Sequence, residues 1–501
     1  MNTKTLSPYN KAKRKSAAQF HRVAALSTGP YDSLMANFQA ANISGANSII
    51  QAISPTTWLP VSSDSLGPIN FYWQNGSLFN QKTWEYINNL FAYDQTNNNY
   101  YTNADDLNTA LYNVFSSISY VLSSNDQDAI NKANLDNAGD MQTLVSNYTG
   151  GGFGTVPSGT TAAQYNAVLS AILGWATPAV SYTNFFLSPD PESLLTNAPA
   201  GSDELIQEFI EIVNNMAPVN AIIGAQQAVE SELRNLKNNI KGPKTSAAPG
   251  WMQLVDDHNN PVPGFVPQWN LNPGPETITS QLEATANFQV SMSVTEINND
   301  TCNVSVNGGA AVSVGVGFLG IDGSTSGSYD LSTICDNITE INITMQFNGV
   351  TNISMVPDPY DLSTSAGWWL PDILSQAVNN NPAVSGPYMP PSAYNFMENG
   401  TFGVLNNLFI SQFPLMTINF STAKASDIDQ IFKAQSSWGV DFLGIDFGGG
   451  SSSSTYTSDI SNFTSSSITI TMAPPLFPSK LNQNDQTAYV IGGSLTWPGA
   501  A

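Results

Sequence analysis

Paired carboxylates are the catalytic groups that this chain could use most readily. It has 38 Asp and Glu but only two His and two Cys, which disfavours sites built on a His base, such as Ser-His-Asp or Cys-His. A glycosidase needs two carboxylates that flank the scissile bond. Asp358 and Asp361 flank Pro359-Tyr360, and Trp368-Trp369, on which a sugar could stack, follows them. The segment is either the site of a glycan hydrolase or a Pro-bounded turn whose Trp pair fills a core, and we favour the turn.

The other candidate motifs predict no cofactor or metal site. His258 lies beside Asp256 and Asp257 in a Pro-rich stretch, and His21 lies in a basic N-terminal segment; we interpret both as exposed residues. Gly315-Val-Gly-Phe-Leu-Gly320 matches the glycine pattern of dinucleotide-binding loops, but such a loop must open a helix. Here Ser/Thr/Gly-rich sequence follows instead. We therefore predict no catalytic residue, no cofactor and no metal.

The two cysteines lie on segments that flank this glycine-rich stretch. Cys302 and Cys335 could form one disulfide in an oxidising compartment, but pairing requires close Cα atoms, which a sequence does not show. We favour free, small, buried residues.

The segment around this stretch has the alternation of a β-strand. From Ala310 to Phe318, Val and Phe alternate with Ser and Gly, so one face is apolar and the other is small and uncharged. Strands of about nine to eleven such residues cross membranes in closed barrels, and the same pattern describes a half-buried sandwich strand. Both interpretations stay open. The candidate membrane or assembly contact, drawn from this segment and its repeat, consists of Val312, Val314, Val316, Phe318, Leu319, Phe442 and Leu443.

The strand-like segment belongs to an internal repeat. Gly315–Asp322 and Gly439–Asp446 are identical at seven of eight positions, and Gly/Ser-rich sequence follows both copies. Downstream, Ile341–Met345 aligns with Ile468–Met472. Two blocks in the same order indicate duplication.

A third block lies upstream of these two. Met292-Ser-Val aligns with Met416-Thr-Ile, so that three blocks follow one another in both copies. They predict two related β-modules, at about 281–360 and 411–475.

Apolar periodicity places helices before the repeat. Residues 107–122 carry an apolar stripe at three- and four-residue steps, and a second helix starts at Ser202-Asp203-Glu204. Pro218 should end or kink that helix, and a third follows at about 219–239. Many Pro and Gly residues in 242–275 predict a linker or an irregular extended segment.

Period-two alternation predicts strands from about residue 286. Phe288, Val290, Met292 and Val294 alternate with polar residues, which is typical of a half-exposed strand. Further strands are expected at 303–306, 311–319, 338–347 and 350–356.

Charge is unevenly distributed along the chain. The net charge is −23, but the first 22 residues hold six Lys and Arg and no acid, which leaves −29 on the rest, where 9 basic residues face 38 acids. An acidic body disfavours nucleic-acid binding, which depends on neutralising phosphates. The basic segment could be a nuclear-type signal, an anionic-surface contact or an export signal, although a flexible terminus is the default.

Two sequence patterns that would direct the chain into or across a membrane are missing. The basic segment lacks the apolar stretch of a Sec-type signal peptide, and no apolar run reaches the about 18 residues of a helical membrane span. We expect a cytoplasmic protein, or one exported by a non-Sec route.

These patterns predict an α+β fold, with a helical N-terminal half followed by two repeated antiparallel β-modules of sandwich-like character. The predicted divisions are a basic flexible tail (1–29), a helical domain (30–241), a Pro/Gly-rich connector (242–280), β-module 1 (281–360), a Pro/Trp-containing segment (361–410), and β-module 2 with the C-terminal segment (411–501).

Without a convincing catalytic set, we expect a non-enzymatic binding or self-assembling protein. Its expected partners are a membrane surface or receptor and further copies of itself, but not nucleic acid. A pore-forming-like, toxin-like action on membranes through the β-half is the sharpest version. A carboxylate-dependent glycan hydrolase and a structural coat or inclusion protein are the alternatives.

Overall fold

The architecture is that of a computed structural model of the chain. It describes residues 28–49, 59–60, 70–72, 79–94, 99–178, 180, 184–185, 189–242, 244–256, 260–284, 286–323, 327–330, 338–379, 381–388, 394–422, 425–426, 428–429, 438–443, 445–447, 456–461, 463–474 and 487–500.

Helices dominate the N-terminal half and antiparallel strands the C-terminal half, which confirms the predicted α+β class. The described α-helices are α1 (Thr28–Ile49), α2 (Gln81–Ile87), α3 (Leu107–Ser117), α4 (Ser124–Asp136), α5 (Ala138–Gly150), α6 (Thr161–Leu173), α7 (Pro191–Leu195), α8 (Asp203–Asn215), α9 (Ala217–Ile240), α10 (Pro275–Leu282) and α11 (Pro371–Val378).

Helix α3 shows how local sequence sets a helix boundary. The Asp106 carboxylate accepts a hydrogen bond from the Thr109 backbone N–H at 2.7 Å, which satisfies a donor that the first turn leaves free. The predicted apolar stripe is buried along α3. The helix ends at Ser117, where Ile118 takes an extended backbone with φ −75° and ψ 131°, so the predicted stripe runs about a turn too far.

The predicted break between the next two long helices is confirmed. Helix α8 ends at Asn215 and α9 begins at Ala217, with Pro218 in its first turn, where a missing N–H costs no hydrogen bond. These helices pack with α5, α6 and α7 around one core. Its fully buried side chains include Leu144, Val168, Leu169, Ile172, Leu194, Phe209 and Ile212.

Most strands follow the helices, but some precede them. The described strands are β1 (Leu59–Pro60), β2 (Asn70–Tyr72), β3 (Phe79–Asn80), β4 (Asn89–Asp94), β5 (Asn99–Asp106), β6 (Ser119–Val121), β7 (Trp251–Met252), β8 (Leu254–Val255), β9 (Val266–Pro267), β10 (Trp269–Asn272), β11 (Asn287–Thr295), β12 (Thr301–Val306), β13 (Val312–Gly315), β14 (Leu319–Gly323), β15 (Gly327–Asp330), β16 (Ile338–Asn348), β17 (Thr351–Pro357), β18 (Gly386–Tyr388), β19 (Val404–Ser411), β20 (Leu415–Thr422), β21 (Trp438–Phe442), β22 (Ile445–Phe447), β23 (Thr457–Ser461), β24 (Ser467–Ala473) and β25 (Thr487–Thr496).

Three antiparallel sheets organise the β-rich half. The large sheet has seven strands in the order β13-β12-β11-β16-β20-β24-β23. The medium sheet has six, in the order β1-β25-β19-β17-β10 with β2 also paired to β25, and the small sheet has four, β15-β14-β21-β22. The large and medium sheets share a core in a sandwich-like manner, since Phe347 of β16 lies 5.7 Å from Tyr489 of β25 between ring centroids.

Both copies of the repeat contribute strands to the large sheet. β11 and β16 of the first copy correspond to β20 and β24 of the second, and β16 pairs directly with β20. The upstream alignment needs a correction, because Met292 pairs with Ile343 whereas Met416 pairs with Met472, two positions further than the aligned Ile470. A two-residue slip keeps the same face of a strand buried, which is why the apolar pattern survives it.

Parts of the N-terminal half complete the medium sheet. β1 and β2 pair with β25 near the C-terminus, although helices were expected over this part of the chain. The hairpin β4-β5, with α3 and the end of α9, packs on the same core. The aromatic residues of β4 and β5 favour strands and are the signal that the helical prediction overlooked.

Candidate functional site

The carboxylate candidates lie at a turn. The Asp361 carboxylate accepts hydrogen bonds from the Ser363 backbone N–H at 2.8 Å, the Ser363 hydroxyl at 2.7 Å and the Thr364 hydroxyl at 3.0 Å. These bonds, the Ser363 hydroxyl first, lower the pKa of the exposed Asp361 carboxyl. The half-buried Asp358 accepts a hydrogen bond from the Asn270 side chain at 3.0 Å.

The neighbouring Trp pair belongs to the core. Trp368 is fully buried, its indole N–H donates to the Gln268 carbonyl at 2.7 Å, and its ring lies 5.5 Å from that of Trp269. Trp369 is half-buried against the same core. A buried Trp368 has no free face for a sugar, and this agrees with the core-filling interpretation.

Other chemistry-bearing residues offer no assembled site in the described parts of the chain. His21, His258 and Cys335 lie outside them. Cys302 is buried in β12, opposite Val314. Among the described residues, no group of three or more His, Cys, Asp or Glu could hold a metal ion.

A surface groove of about 650 Å³ lies between α7 and α8. Apolar side chains such as Leu195, Ile206 and Ile210 line it together with the carboxylates of Asp203 and Glu211. Asp358 and Asp361 are not among the residues that line it.

The candidate membrane or assembly contact lies in the core of this conformation. Of its seven residues, Val312 is half-buried and packs against the core, while the other six are buried: Val314, Val316, Phe318, Leu319, Phe442 and Leu443. Their contact with a membrane or another copy stays a prediction. It would require these side chains to leave their present neighbours.

The strand predicted at 311–319 is shorter than expected. β13 has four residues and passes into a 3-10 turn, Val316–Phe318, before β14 begins at Leu319. The turn carries the chain from the edge of the large sheet into the small sheet. The alternation of apolar and small residues in the sequence does not reveal this change of direction.

The repeated Phe-Leu dipeptides meet each other across the small sheet. Leu319 pairs with Phe442, and the Leu443 backbone N–H donates to the Phe318 carbonyl at 2.7 Å. Each Phe thus faces the Leu of the other copy, as around a local two-fold axis. The rings of Phe318 and Phe442 lie 6.3 Å apart, edge to face.

Helix α1 lies over this cluster and the adjoining strands. It packs against β11, β12 and β13, and the ring of Phe38 lies 5.5 Å from that of Phe442, edge to face. Near the other end of α1, Gly45 lies against Phe288, since a Cβ at Gly45 would lie 2.1 Å from the Phe288 ring. Helix α1 therefore covers part of the apolar face of the large sheet.

The central strands of the large sheet have the length and alternation that β13 lacks. β11, β16 and β20 have nine, eleven and eight residues. Along each strand, buried apolar side chains alternate with exposed or half-exposed ones. The alternation of β11 is evident in the sequence, but the predicted membrane or assembly contact lies in the shorter segment around residue 314.

The outer face of the large sheet carries two rows of uncharged side chains, which we call the polar rows. Register pairing places their members opposite one another on one face. The first row consists of Ser305, Ser293, Asn342, Asn419, Thr469 and Ser461. The second consists of Ser291, Thr344, Thr417 and Thr471, and ends at the edge on Asp459.

Hydrogen bonds join neighbouring strands along the first polar row. The Ser293 hydroxyl donates to the Asn342 side-chain oxygen at 2.9 Å, and the Asn419 amide donates to the Thr469 hydroxyl at 2.9 Å. The two rows hold no Lys or Arg. The large sheet is thus amphipathic, with a polar outer face whose charged residues include Asp459 and Glu340, and an apolar inner face.

Comparison with known protein families, curated proteins and solved structures finds no match to this chain. Among the described helices, none combines the length and the apolar character needed to cross a membrane.

Proposed function

We propose that this chain is a non-enzymatic, self-associating protein that acts on membranes through its large sheet, in the manner of a pore-forming protein. The observation that carries the proposal is the placement of α1 over the apolar face of β11, β12 and β13, of which β11 is a long amphipathic strand. Strands that cross a bilayer need an apolar face toward lipid and a polar face toward water, over about nine to eleven residues. β11 and β16 have this length.

The polar rows support the same proposal. A strand that lines a water-filled pore presents hydroxyl and amide groups to water, and the closed barrel satisfies the backbone hydrogen bonds. Asn342 and Asn419 of the first row and Thr344 and Thr417 of the second come from both copies of the repeat. The duplicated module would thus supply four neighbouring strands, β11, β16, β20 and β24, of one alternating type.

The turn geometry weighs against the hydrolase alternative. A glycosidase needs a general acid whose pKa is raised, whereas the hydrogen bonds of Ser363 and Thr364 lower the pKa of Asp361. Burial of Trp368 leaves its ring no free face for a sugar, although Trp369 is only half-buried.

Charge decides which membrane would be bound. The chain beyond its first 22 residues carries −29, so anionic lipids should repel it. Zwitterionic lipid, a neutral receptor, low pH or a contact made first by the basic segment would avoid this repulsion.

Dye release from vesicles of phosphatidylcholine, at neutral and acidic pH, tests the proposal, together with cross-linking of the lipid-bound protein. We expect release and oligomers on lipid. Intact vesicles under all conditions, with no oligomer, would overturn it. Ordered assemblies formed without lipid, seen by electron microscopy, would instead favour the coat or inclusion protein.

Ion selectivity provides the sharper test. Thr344→Lys and Thr417→Lys place positive charge in the second polar row and should shift the selectivity of the conductance toward anions. Asn131→Lys, on the exposed surface of α4, adds the same charge elsewhere and is the matched control. Equal selectivity in all three variants would mean that the polar rows do not line the pathway.

A further inference from the structure

The interface between helix α1 and the large sheet contains both apolar side chains and buried amide groups without hydrogen-bond partners. Its buried apolar side chains include Leu34, Met35, Phe38 and Ala46, which recur at helical spacing. They belong to the same core as the strands beneath them. This apolar stripe explains why α1 docks on the sheet.

Amide side chains interrupt that stripe. Asn42 is fully buried, and neither its Nδ2 nor its Oδ1 has a hydrogen-bond partner. The Oε1 of Gln39 and the Oδ1 of Asn47 are likewise buried without a partner. In the undocked state water would solvate these groups, so each one weakens the docked state relative to the open one.

The helix has little stability of its own. Between Thr28 and Ile49 it contains three Asn, three Ser and two Gly, all of which disfavour helix interiors. No acid lies in its first turn and no base in its last, so it lacks favourable interactions with the helix dipole. Its helical state therefore depends on docking.

We propose that α1 is a detachable cover of the large sheet: it opens as a unit while the sheet stays folded, and the apolar strands beneath it then become available to lipid acyl chains. The second step rests on the proposed membrane function, and the first does not. Opening would uncover the apolar side of β11, β12 and β13, together with Phe288 and Phe442, which α1 contacts through Gly45 and Phe38.

Hydrogen exchange of the full chain without lipid tests the opening. Amides of α1 should exchange at least about tenfold faster than amides of β16, because local opening needs less free energy than unfolding of the sheet. Asn42→Leu removes both unpartnered atoms and should slow exchange in α1 about tenfold, with β16 unchanged.

Asn37→Leu is the matched control. Asn37 lies on the exposed side of α1, so this variant gains the same helix propensity without changing the interface. It should slow exchange less than Asn42→Leu does. Equal exchange rates in α1 and β16, or equal effects of the two variants on exchange, would overturn the proposal that α1 is a detachable cover.

Dye release from phosphatidylcholine vesicles tests the second step. Asn42→Leu should slow release in proportion to its effect on exchange. Gly45→Leu should accelerate release, because its side chain would collide with Phe288 and loosen α1.

The two proposals fail in different ways. If Asn42→Leu slows exchange in α1 and leaves the rate of release unchanged, α1 does not control membrane action, and the lipid step falls while the opening of α1 and the proposed function stand. If α1 opens alone but no variant releases dye, the proposed function falls together with the lipid step, and exchange still supports the cover.

Discussion

The two copies of Phe-Leu-Gly-Ile-Asp share a sequence but not a backbone. In the first copy, Leu319 follows a 3-10 turn and is extended, with φ −127°. In the second, Leu443 has φ 53°, and the chain reverses there so that Phe442 pairs with Ile445. Both Leu side chains are buried, at 1% exposure each. The first copy continues directly from β13 of the large sheet, whereas in the described residues no strand of that sheet directly precedes the second. Tertiary context therefore selects different backbones for the same five residues.

Replacing the two Phe residues should give the largest loss of stability, and the loss should differ between the two copies. Phe442→Ala and Phe318→Ala should each lower the free energy of unfolding by about 3–5 kcal/mol, the usual cost of emptying a fully buried Phe site. Phe442→Ala should cost more, because its ring contacts those of both Phe38 and Phe318. Urea unfolding measures both values, and a greater cost for Phe318→Ala would contradict the central place given to Phe442.

Substituting glycine at the two Leu positions should reveal the difference between their backbone conformations. Leu319→Gly and Leu443→Gly lose the same buried side chain, a cost of about 2–5 kcal/mol. Leu443→Gly also relieves the strain of a left-handed backbone conformation at a residue with a Cβ, which is worth roughly 1–2 kcal/mol. We therefore expect Leu443→Gly to be the milder of the two by about 1 kcal/mol in urea unfolding. Equal losses would argue against a left-handed Leu443.

Substituting Tyr456, which lies in the second copy, should have a smaller effect on stability, and that effect should depend on pH. Its hydroxyl donates to the Pro414 carbonyl at 3.0 Å, so Tyr456→Phe should cost about 1 kcal/mol near neutral pH. Burial, with a smaller contribution from Tyr489, raises the pKa of Tyr456 well above 10.0. The unfolded chain loses this proton at lower pH than the folded one does, so stability falls as pH rises above about 10.

The same variant tests that pH dependence. Because Phe cannot ionise, Tyr456→Phe should show a shallower loss of stability between about pH 9 and pH 11 than the parent chain. Thermal unfolding over this range measures the slope. An unchanged slope would mean that Tyr456 keeps an ordinary pKa.

The polar rows should show the smallest difference between the copies. Ser293→Ala in the first copy and Asn419→Ala in the second each remove one cross-strand hydrogen bond of 2.9 Å. Each should cost about 0.2–1 kcal/mol. A loss of several kcal/mol at either position would show that the row is part of the core and not an exposed face.

Elements with strong local signals could be predicted from sequence. The alternation of Val290, Met292 and Val294 gives the buried face of β11, and Pro218 marks the boundary between α8 and α9. The repeat predicts strands of one type. These features depend on neighbours a few residues away, which a sequence pattern contains.

Long-range pairing could not be predicted in this way. The pairing of Asn70 with Tyr489 joins distant parts of the chain, and nothing in either short segment specifies the other. The alternation around Val314 predicts an apolar face but not what covers it. Helix α1 lies almost wholly within the helical domain predicted at 30–241, but its Asn, Ser and Gly residues give no pattern that shows where it docks.

The contact between Phe38 and Phe442 also orders events during synthesis. The ribosome makes α1 before either repeat copy, but the Phe442 ring against which Phe38 packs emerges only after the first copy and part of the second. Contacts between such distant segments close slowly, and chains fold in part as they emerge. The nascent protein therefore passes through a stage in which α1 and the first strands are present but the ring of Phe442 is not, so α1 cannot complete its docking until part of the second copy has been made.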